Sequence, residues 1–544
     1  VSASRRDTFL ALALFALPLL VFAPITEGAE FLNFDDDLYV TANPAVRAGL
    51  SVDTARWAFT NVESGHFHPL TWLSHAADVS LFGLDAGAHH RTSLVLHALA
   101  TVLCFAFWRR LGVELGGALF AAALFAVHPL RVESVAWVAT RKDVLSGALF
   151  FVTLLGWTWW RARPGAGRMA VTVATFVAAL LAKPTVLPLP LLLLALDRWP
   201  LGAALTWARV REKGWLFGVS AVFAGVAVFG QGQAGAIAPL PLAARVLNAG
   251  AALVAYTGRL VAPLEVSLFH PARPLPPGLG VACVLIVVGV SVAAARQRLP
   301  GPLAMAWWWF LLLLLPVSGL VQIGGQFIAD RWLYLPLSGV VVGVWASLRA
   351  SDAARWSLAG LLVAAAAGLS RQHLPHYRTS EAAFRHALDV EPDNFLAHTN
   401  LGTALEQRGA LDEAHLHYEE AVRLNPTWPT ALINLGNVRA RQGRLGDAEG
   451  LYRRALDREP SNGLAHYNLA LALVMQGRPQ EAVVHYADAV RLRPTDAMAA
   501  LGHGATLLGL GRRDEGLAEL RRAVALDPSS QEASERLRLA EHGP

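Results

Sequence analysis

Polar and apolar positions divide the chain into two regimes. Up to about residue 375, long apolar runs alternate with short polar loops, and beyond it apolar residues recur at helical spacing inside short amphipathic segments. Runs near 8–25, 91–110, 115–130, 143–160, 168–183, 184–199, 214–231, 278–296, 302–320, 333–349 and 355–373 approach the length needed to cross ~30 Å of hydrocarbon. They predict about eleven transmembrane helices in a polytopic domain over 1–375. The segment 246–264 is read as re-entrant or interfacial, because a span there would carry Arg296 and Arg298 to the face opposite the other basic loops. The loop 26–90 between the first two runs contains two amphipathic stretches, about 51–60 and 69–82.

The second regime is periodic. Prolines at 392, 426, 460, 494 and 528 recur every 34 residues, the length of a tetratricopeptide repeat (TPR), whose helical hairpins must stack to bury their apolar faces. Leu401-Gly402 and Leu435-Gly436 keep register with Tyr418 and Tyr452. The prediction is a C-terminal α-solenoid over 378–544, with a half repeat at 378–392 and full repeats at about 395–428, 429–462, 463–496 and 497–530. The fold class is therefore all-α.

Composition agrees with a membrane protein: 54% of residues are hydrophobic, 16% are charged, and mean hydropathy is +0.40. The net charge of +5 does not point to nucleic acid, because the basic residues sit mostly in loops between apolar runs. Arg5-Arg6, Arg109-Arg110, Arg161 to Arg168, Arg198 to Lys213, Arg296 to Arg298 and Arg349 to Arg355 then share one face. By the positive-inside rule that face is cytoplasmic, with a cytoplasmic N-terminus and with the loop 26–90 and the repeats on the opposite, external side. Thr8 to Ile25 is read as an uncleaved first helix. Cys104 and Cys283 both lie in apolar runs, without the spacing of a disulfide framework or a zinc site.

Chemistry gathers on the external face. Asp35, Asp36 and Asp37 are adjacent carboxylates that repel one another; they form either a solvated turn ahead of Asn43-Pro44, a general base, or an oxygen site for a hard divalent cation. Arg141, Lys183 and Arg331 fall at external helix ends, where cations either contact lipid headgroups or bind a phosphate held at the membrane surface. His66, His68 and His75 are read as polar loop surface rather than as metal ligands. In the repeats, Asn400, Asn434 and Asn468 recur at one helix position. Their amides either bond the backbone of an extended peptide in the groove or tie neighbouring helices together.

Several blocks together resemble the transmembrane and TPR-repeat protein O-mannosyltransferases, including bacterial-type members, within the GT-C class of membrane glycosyltransferases. They are Asp35-Asp36 eight residues before Asn43, Trp57 to His68-Pro-Leu-Thr-Trp72, His128-Pro to Arg141-Lys142-Asp143, Ala182-Lys183-Pro184, Ala329-Asp330-Arg331 to Pro336, and the TPR tail. Asp37 is an extra carboxylate relative to that pattern. The resemblance implies an inverting transferase of a bacterial inner membrane. It would move a sugar, mannose or similar, from a lipid-linked polyprenyl-phosphate donor to Ser or Thr hydroxyls of an unfolded or extended protein. It implies Asp36 as base, Asp35 and Asp37 orienting it or holding a metal, Arg331, Arg141 and Lys183 on the donor phosphate, and Asn400, Asn434 and Asn468 on the acceptor peptide. Two other readings are open: a GT-C transferase acting on a lipid or glycan, and a non-enzymatic membrane-anchored TPR scaffold.

Overall fold

The computed structural model describes residues 5–61, 67–233, 240–271, 276–320 and 326–542. Contacts divide the chain into two units, Val1–Glu391 and Pro392–Pro544. Both are helical; the strands among the described residues are His270–Pro271 and Gln326–Ile328, an antiparallel pair with His270 opposite Ile328 and Pro271 opposite Gln326.

Within the first unit, five helices are long and apolar enough to cross a membrane: Arg5–Thr26, Ala86–Arg110, Gly214–Gly232, Pro277–Ala295 and Asp352–Tyr377. A sixth results if Leu115–Val127 and Pro129–Ala136, bent by 58° at their break, count as one span. Eleven spans are therefore not what the structure supports, and proline explains much of the difference. The run 184–199 breaks into a 3-10 turn, Pro184–Val186, and a ten-residue helix, Leu189–Arg198, which at 1.5 Å per residue covers only ~15 Å. The helix Gly301–Leu314 gives way to a 3-10 turn containing Pro316, and Pro336–Ser347 begins only after another such turn at Asp330–Leu333. Over 246–264 the chain forms one helix, Leu242–Val261, packed on Pro277–Ala295.

Aromatic side chains fill the centre of this unit. Trp309 lies against Phe107, Trp108 and Phe150 at centroid distances of 6.3, 5.1 and 5.9 Å, and its indole N–H donates to the Leu335 carbonyl at 3.1 Å. The amphipathic helices of the first loop form at Val52–Thr60 and Pro69–Phe82, the former capped by the Ser51 hydroxyl. The helix Ser380–Val390 belongs to the first unit, where Phe384 meets Phe34 edge-on at 6.0 Å and the Ser380 hydroxyl accepts from the Asn33 amide at 2.8 Å.

The second unit is a run of hairpins: Phe395–Gln407 with Leu411–Leu424, Pro429–Arg441 with Leu445–Arg458, Gly463–Met475 with Pro479–Leu492, and Ala497–Gly509 with Arg513–Leu526, followed by Gln531–His542. Each hairpin turns through a glycine with positive φ (Gly409, Gly443, Gly477, Gly511), a backbone conformation that residues with a side chain rarely adopt. A Cβ on Gly402 would stand 2.6 Å from the Tyr418 ring and one on Gly436 2.5 Å from Tyr452, so these glycines let the two helices of a hairpin close on the tyrosine.

Candidate active site

The three aspartates have different surroundings. Asp36 is fully buried, its Oδ2 accepting from the Leu32 amide and its Oδ1 from the Ala139 amide, both at 2.7 Å. It therefore clasps the first loop to the turn Val138–Thr140. Phe34 strengthens the same seam, stacking on Trp137 at 5.2 Å while its carbonyl accepts from the Trp137 indole at 3.0 Å. Burial pushes the Asp36 carboxyl up to about 8, against the pull of the two amides. Asp37 is exposed, its Oδ1 accepting from the Leu38 amide at 2.8 Å.

Asp35 sits at φ +64, a left-handed conformation uncommon outside glycine, asparagine and aspartate and concentrated at functional sites. It lines an open cavity of about 450 Å³ together with His68, Lys142, Lys183, Gln326 and Arg331. The same lining includes the apolar side chains of Leu187, Pro316, Val317 and Phe327 and of Ala224, Ala227 and Val228 of the helix Gly214–Gln233. One cavity thus combines charged and apolar lining.

Each cation of this lining is anchored by a different partner. Lys183 Nζ donates to Asp143 Oδ1 at 2.5 Å. Arg331 is held by Glu133, which accepts its guanidinium on one oxygen and its backbone amide at 2.8 Å on the other, while Gln326 accepts a third bond at 2.9 Å. Lys142 stands 4.1 Å above the Tyr39 ring and donates to its hydroxyl at 3.0 Å. Burial and the nearby Asp35 raise the Tyr39 phenol well above its ordinary value, so it keeps its proton, and its oxygen lies 3.1 Å from His68 Nδ1.

Of the cations expected at the phosphate, Lys183 and Arg331 line this cavity and Arg141 does not. Arg141 is fully buried against Asp78 at 2.5 Å and donates to the His89 carbonyl at 2.5 Å. The sequence analysis read His68 as loop surface, named Lys142 only within a matching block and did not single out Tyr39. Lys142 was adjacent to a chosen residue, but successive residues on a helix point about 100° apart, so Arg141 and Lys142 reach different surroundings. The three carboxylates have separate surroundings: Asp36 accepts two backbone amides, Asp37 is exposed, and of the three only Asp35 lines the cavity. His66 lies outside the described residues, and His75 Nδ1 lies 3.4 Å from His89 Nδ1.

A second charged cluster lies nearby. Asp330 accepts from Arg259 at 2.8 Å and from the Ser267 amide at 3.2 Å, and is held low by His270 and Arg259. His270 sits between Asp330, at 3.7 Å, and Glu391, at 2.7 Å, and these carboxylates raise it to about 9 despite burial and the neighbouring Arg259.

In the second unit, the Asn400 amide donates to the Leu396 carbonyl of its own helix at 2.9 Å, and Asn434 reaches Thr403 Oγ1 of the preceding repeat at 3.4 Å. Asn468 Nδ2 is buried without a hydrogen-bond partner among the described residues.

The tetratricopeptide repeat family model matches residues 366–429 and 433–497, so the solenoid is built of these repeats. A quarter of the chain is homologous to proteins named as O-mannosyl-transferases. Protein O-mannosyl-transferase TMTC1 of Homo sapiens is 33% identical over 140 residues, 24% of this chain and 15% of that one. Protein O-mannosyl-transferase Tmtc1 of Drosophila melanogaster is 33% identical over 132 residues, covering 24% and 15%. The chain thus spans about 15% of the length of these curated relatives. Among solved structures, MamA is 22% identical with a TM-score of 0.25, covering 27% of this chain and 87% of its own. YrrB, described as a TPR protein with an unusual peptide-binding site, is 21% identical with a TM-score of 0.26, covering 35% and 93%.

Proposed function

We propose that this chain is an integral membrane glycosyltransferase that moves a sugar, mannose by analogy with the named relatives, from a polyprenyl-phosphate donor to Ser or Thr hydroxyls of exported proteins. The observation that carries the reading is the cavity whose lining combines Asp35, Lys142, Lys183 and Arg331 with apolar side chains. A lipid-linked phosphate needs both parts: cations for its head and a greasy surface for its chain.

In this reading Asp35 is the base, because its carboxylate borders the cavity while both oxygens of Asp36 accept backbone amides. The acceptor oxygen attacks the anomeric carbon from the face opposite the phosphate and its proton passes to Asp35. The bond from that carbon to the phosphate oxygen breaks, leaving polyprenyl phosphate and an inverted glycoside. Phosphate is already a good leaving group, so Lys183, Arg331 and Lys142 stabilise the charge it gains rather than protonating it. Asp36 then acts as a positioning residue that fixes the loop. A divalent cation beside Asp35 is compatible with the open carboxylate and would add positive charge at the phosphate.

The proposal places the cavity and the repeats on the external side of the membrane, periplasmic in a bacterium, where exported chains emerge. The TPR groove would present an extended acceptor, with Asn468 as the rung of the ladder whose amide nitrogen, buried in this state, has no partner among the described residues. Asn400 and Asn434 support this less, since the described contacts tie both within the array. Glycoproteomic comparison of cells carrying the wild type and Asp35→Asn tests the reading. Loss of a Ser/Thr-linked hexose from exported proteins is expected, whereas an unchanged glycoproteome with normal accumulation of the variant contradicts it.

A further inference from the structure

Two hairpins of the array carry the same trio of residues, 68 positions apart: His398, His417 and Glu420 in one, His466, His485 and Asp488 in the other. The hairpin between them has Leu432, Leu451 and Arg454 at these positions, and the one that follows has Ala500, Glu519 and Arg522. The repeat therefore folds without the trio, and packing alone does not require it.

Hydrogen bonding settles which nitrogen is available. His466 Nε2 lies 3.1 Å from the Pro460 carbonyl and His398 Nε2 lies 3.0 Å from the Pro392 carbonyl. A carbonyl only accepts, so Nε2 carries the proton in each case and Nδ1 keeps a lone pair. That Nδ1 faces the Nδ1 of the second histidine, at 3.1 Å in the His466–His485 pair and 2.9 Å in the His398–His417 pair. A backbone carbonyl fixing the tautomer of a histidine whose other nitrogen points at a second histidine is the outer-shell arrangement that metal sites use.

The two trios differ in their carboxylate. Arg423 occupies both oxygens of Glu420, at 2.7 and 2.5 Å. Arg491 takes only Oδ1 of Asp488, at 2.8 Å, and Oδ2 lies 3.9 Å from His466 Nδ1. The ligand atoms of His466, His485 and Asp488 consequently all lie within 4.8 Å of one another.

We propose that His466, His485 and Asp488 form a binding site for a divalent transition-metal ion of the zinc class, joining the two helices of the third hairpin. With metal–nitrogen bonds of about 2.0–2.1 Å, two nitrogens on a tetrahedral ion stand roughly 3.3 Å apart, close to the separation already present. The partly exposed carboxylate reaches the ion by side-chain rotation, and water fills the fourth position. Imidazole ligands select zinc, nickel or copper over magnesium or calcium. The ion replaces the single proton shared between the two Nδ1 atoms.

The test is zinc content and affinity of the full chain in lipid nanodiscs, by equilibrium dialysis with metal analysis, alongside cobalt substitution read by visible absorption. His485→Leu takes its residue from the second hairpin, which folds with Leu451 there, and Asp488→Asn changes a partly exposed group. Wild type should bind one zinc more than His485→Leu. Affinity should fall by more than about 100-fold in His485→Leu, since even outer-shell losses cost 10–100-fold. Asp488→Asn should weaken binding and alter the cobalt spectrum, and His417→Leu should leave both unchanged. Equal zinc in wild type and His485→Leu, or an equal loss in His417→Leu, overturns the proposal and leaves two hydrogen-bonded histidine pairs.

Discussion

Glu133 grips Arg331 twice, one carboxylate oxygen accepting its backbone amide at 2.8 Å and the other its guanidinium. Glu133 is fully buried and Arg331 only slightly exposed, so the pair is an arginine delivered to the cavity edge by a carboxylate from a different part of the chain. Replacing Glu133 with alanine leaves the arginine without its anchor. The expected cost is about 3–5 kcal/mol of stability, as for other buried pairs broken on one side. Thermal or denaturant unfolding of the detergent-solubilised chain measures it, and a loss below about 1 kcal/mol, the scale of a surface pair, would show that the clamp does little.

Asp36 predicts a different failure. Asp36→Ala removes the acceptor for two buried amides, Leu32 and Ala139, each costing about 1–3 kcal/mol when left unsatisfied. The first loop should then detach from the Val138–Thr140 turn. Hydrogen exchange read by mass spectrometry should show faster exchange at Leu32 and Ala139. Unchanged protection at both amides would contradict the clasp.

His270 makes stability depend on pH on the alkaline side. Its folded pKa, raised to about 9 by Asp330 and Glu391, exceeds the ordinary 6.5, so the folded state holds this proton more tightly than the unfolded state. Its contribution is fully present below pH 6.5 and disappears as pH rises through about 9. The contribution is on the order of 3 kcal/mol. The melting temperature should fall between these limits, and His270→Gln should flatten that fall; an identical fall in the variant would assign it to other groups.

The asparagine ladder can be separated rung by rung. Asn468→Ala should weaken capture of a labelled extended peptide by about tenfold, the equivalent of one well-placed hydrogen bond. Asn400→Ala should do less, because its amide donates to its own helix. Fluorescence anisotropy on the full chain distinguishes the two, and equal effects would mean that the internal bond is given up when peptide binds.

The legible parts of this molecule were those set by local rules. The 34-residue proline period and the tyrosines in register with Gly402 and Gly436 follow from neighbours in sequence, and the solenoid was readable from them. The spans were overcounted because apolar content was visible while the helix breaks at Pro184, Pro188 and Pro316 depended on how each run packs. The site was legible as a region but not residue by residue. The environment of Asp36 is set by Ala139, 103 positions away, and Arg141 is held by Asp78 from another helix. No spacing rule encodes such long-range contacts.

The central claim is that Asp35, facing Lys142, Lys183 and Arg331, takes the acceptor proton. The direct measurement is transfer of labelled mannose from polyprenyl-phosphate mannose to a Ser/Thr peptide by the full chain in nanodiscs, comparing wild type, Asp35→Asn and Asp36→Asn. The account predicts that Asp35→Asn loses about 10²–10⁴ in rate, the range of general-base catalysis, with donor binding and melting temperature retained. Asp36→Asn should lower stability alongside activity. Wild-type transfer by Asp35→Asn would contradict the account.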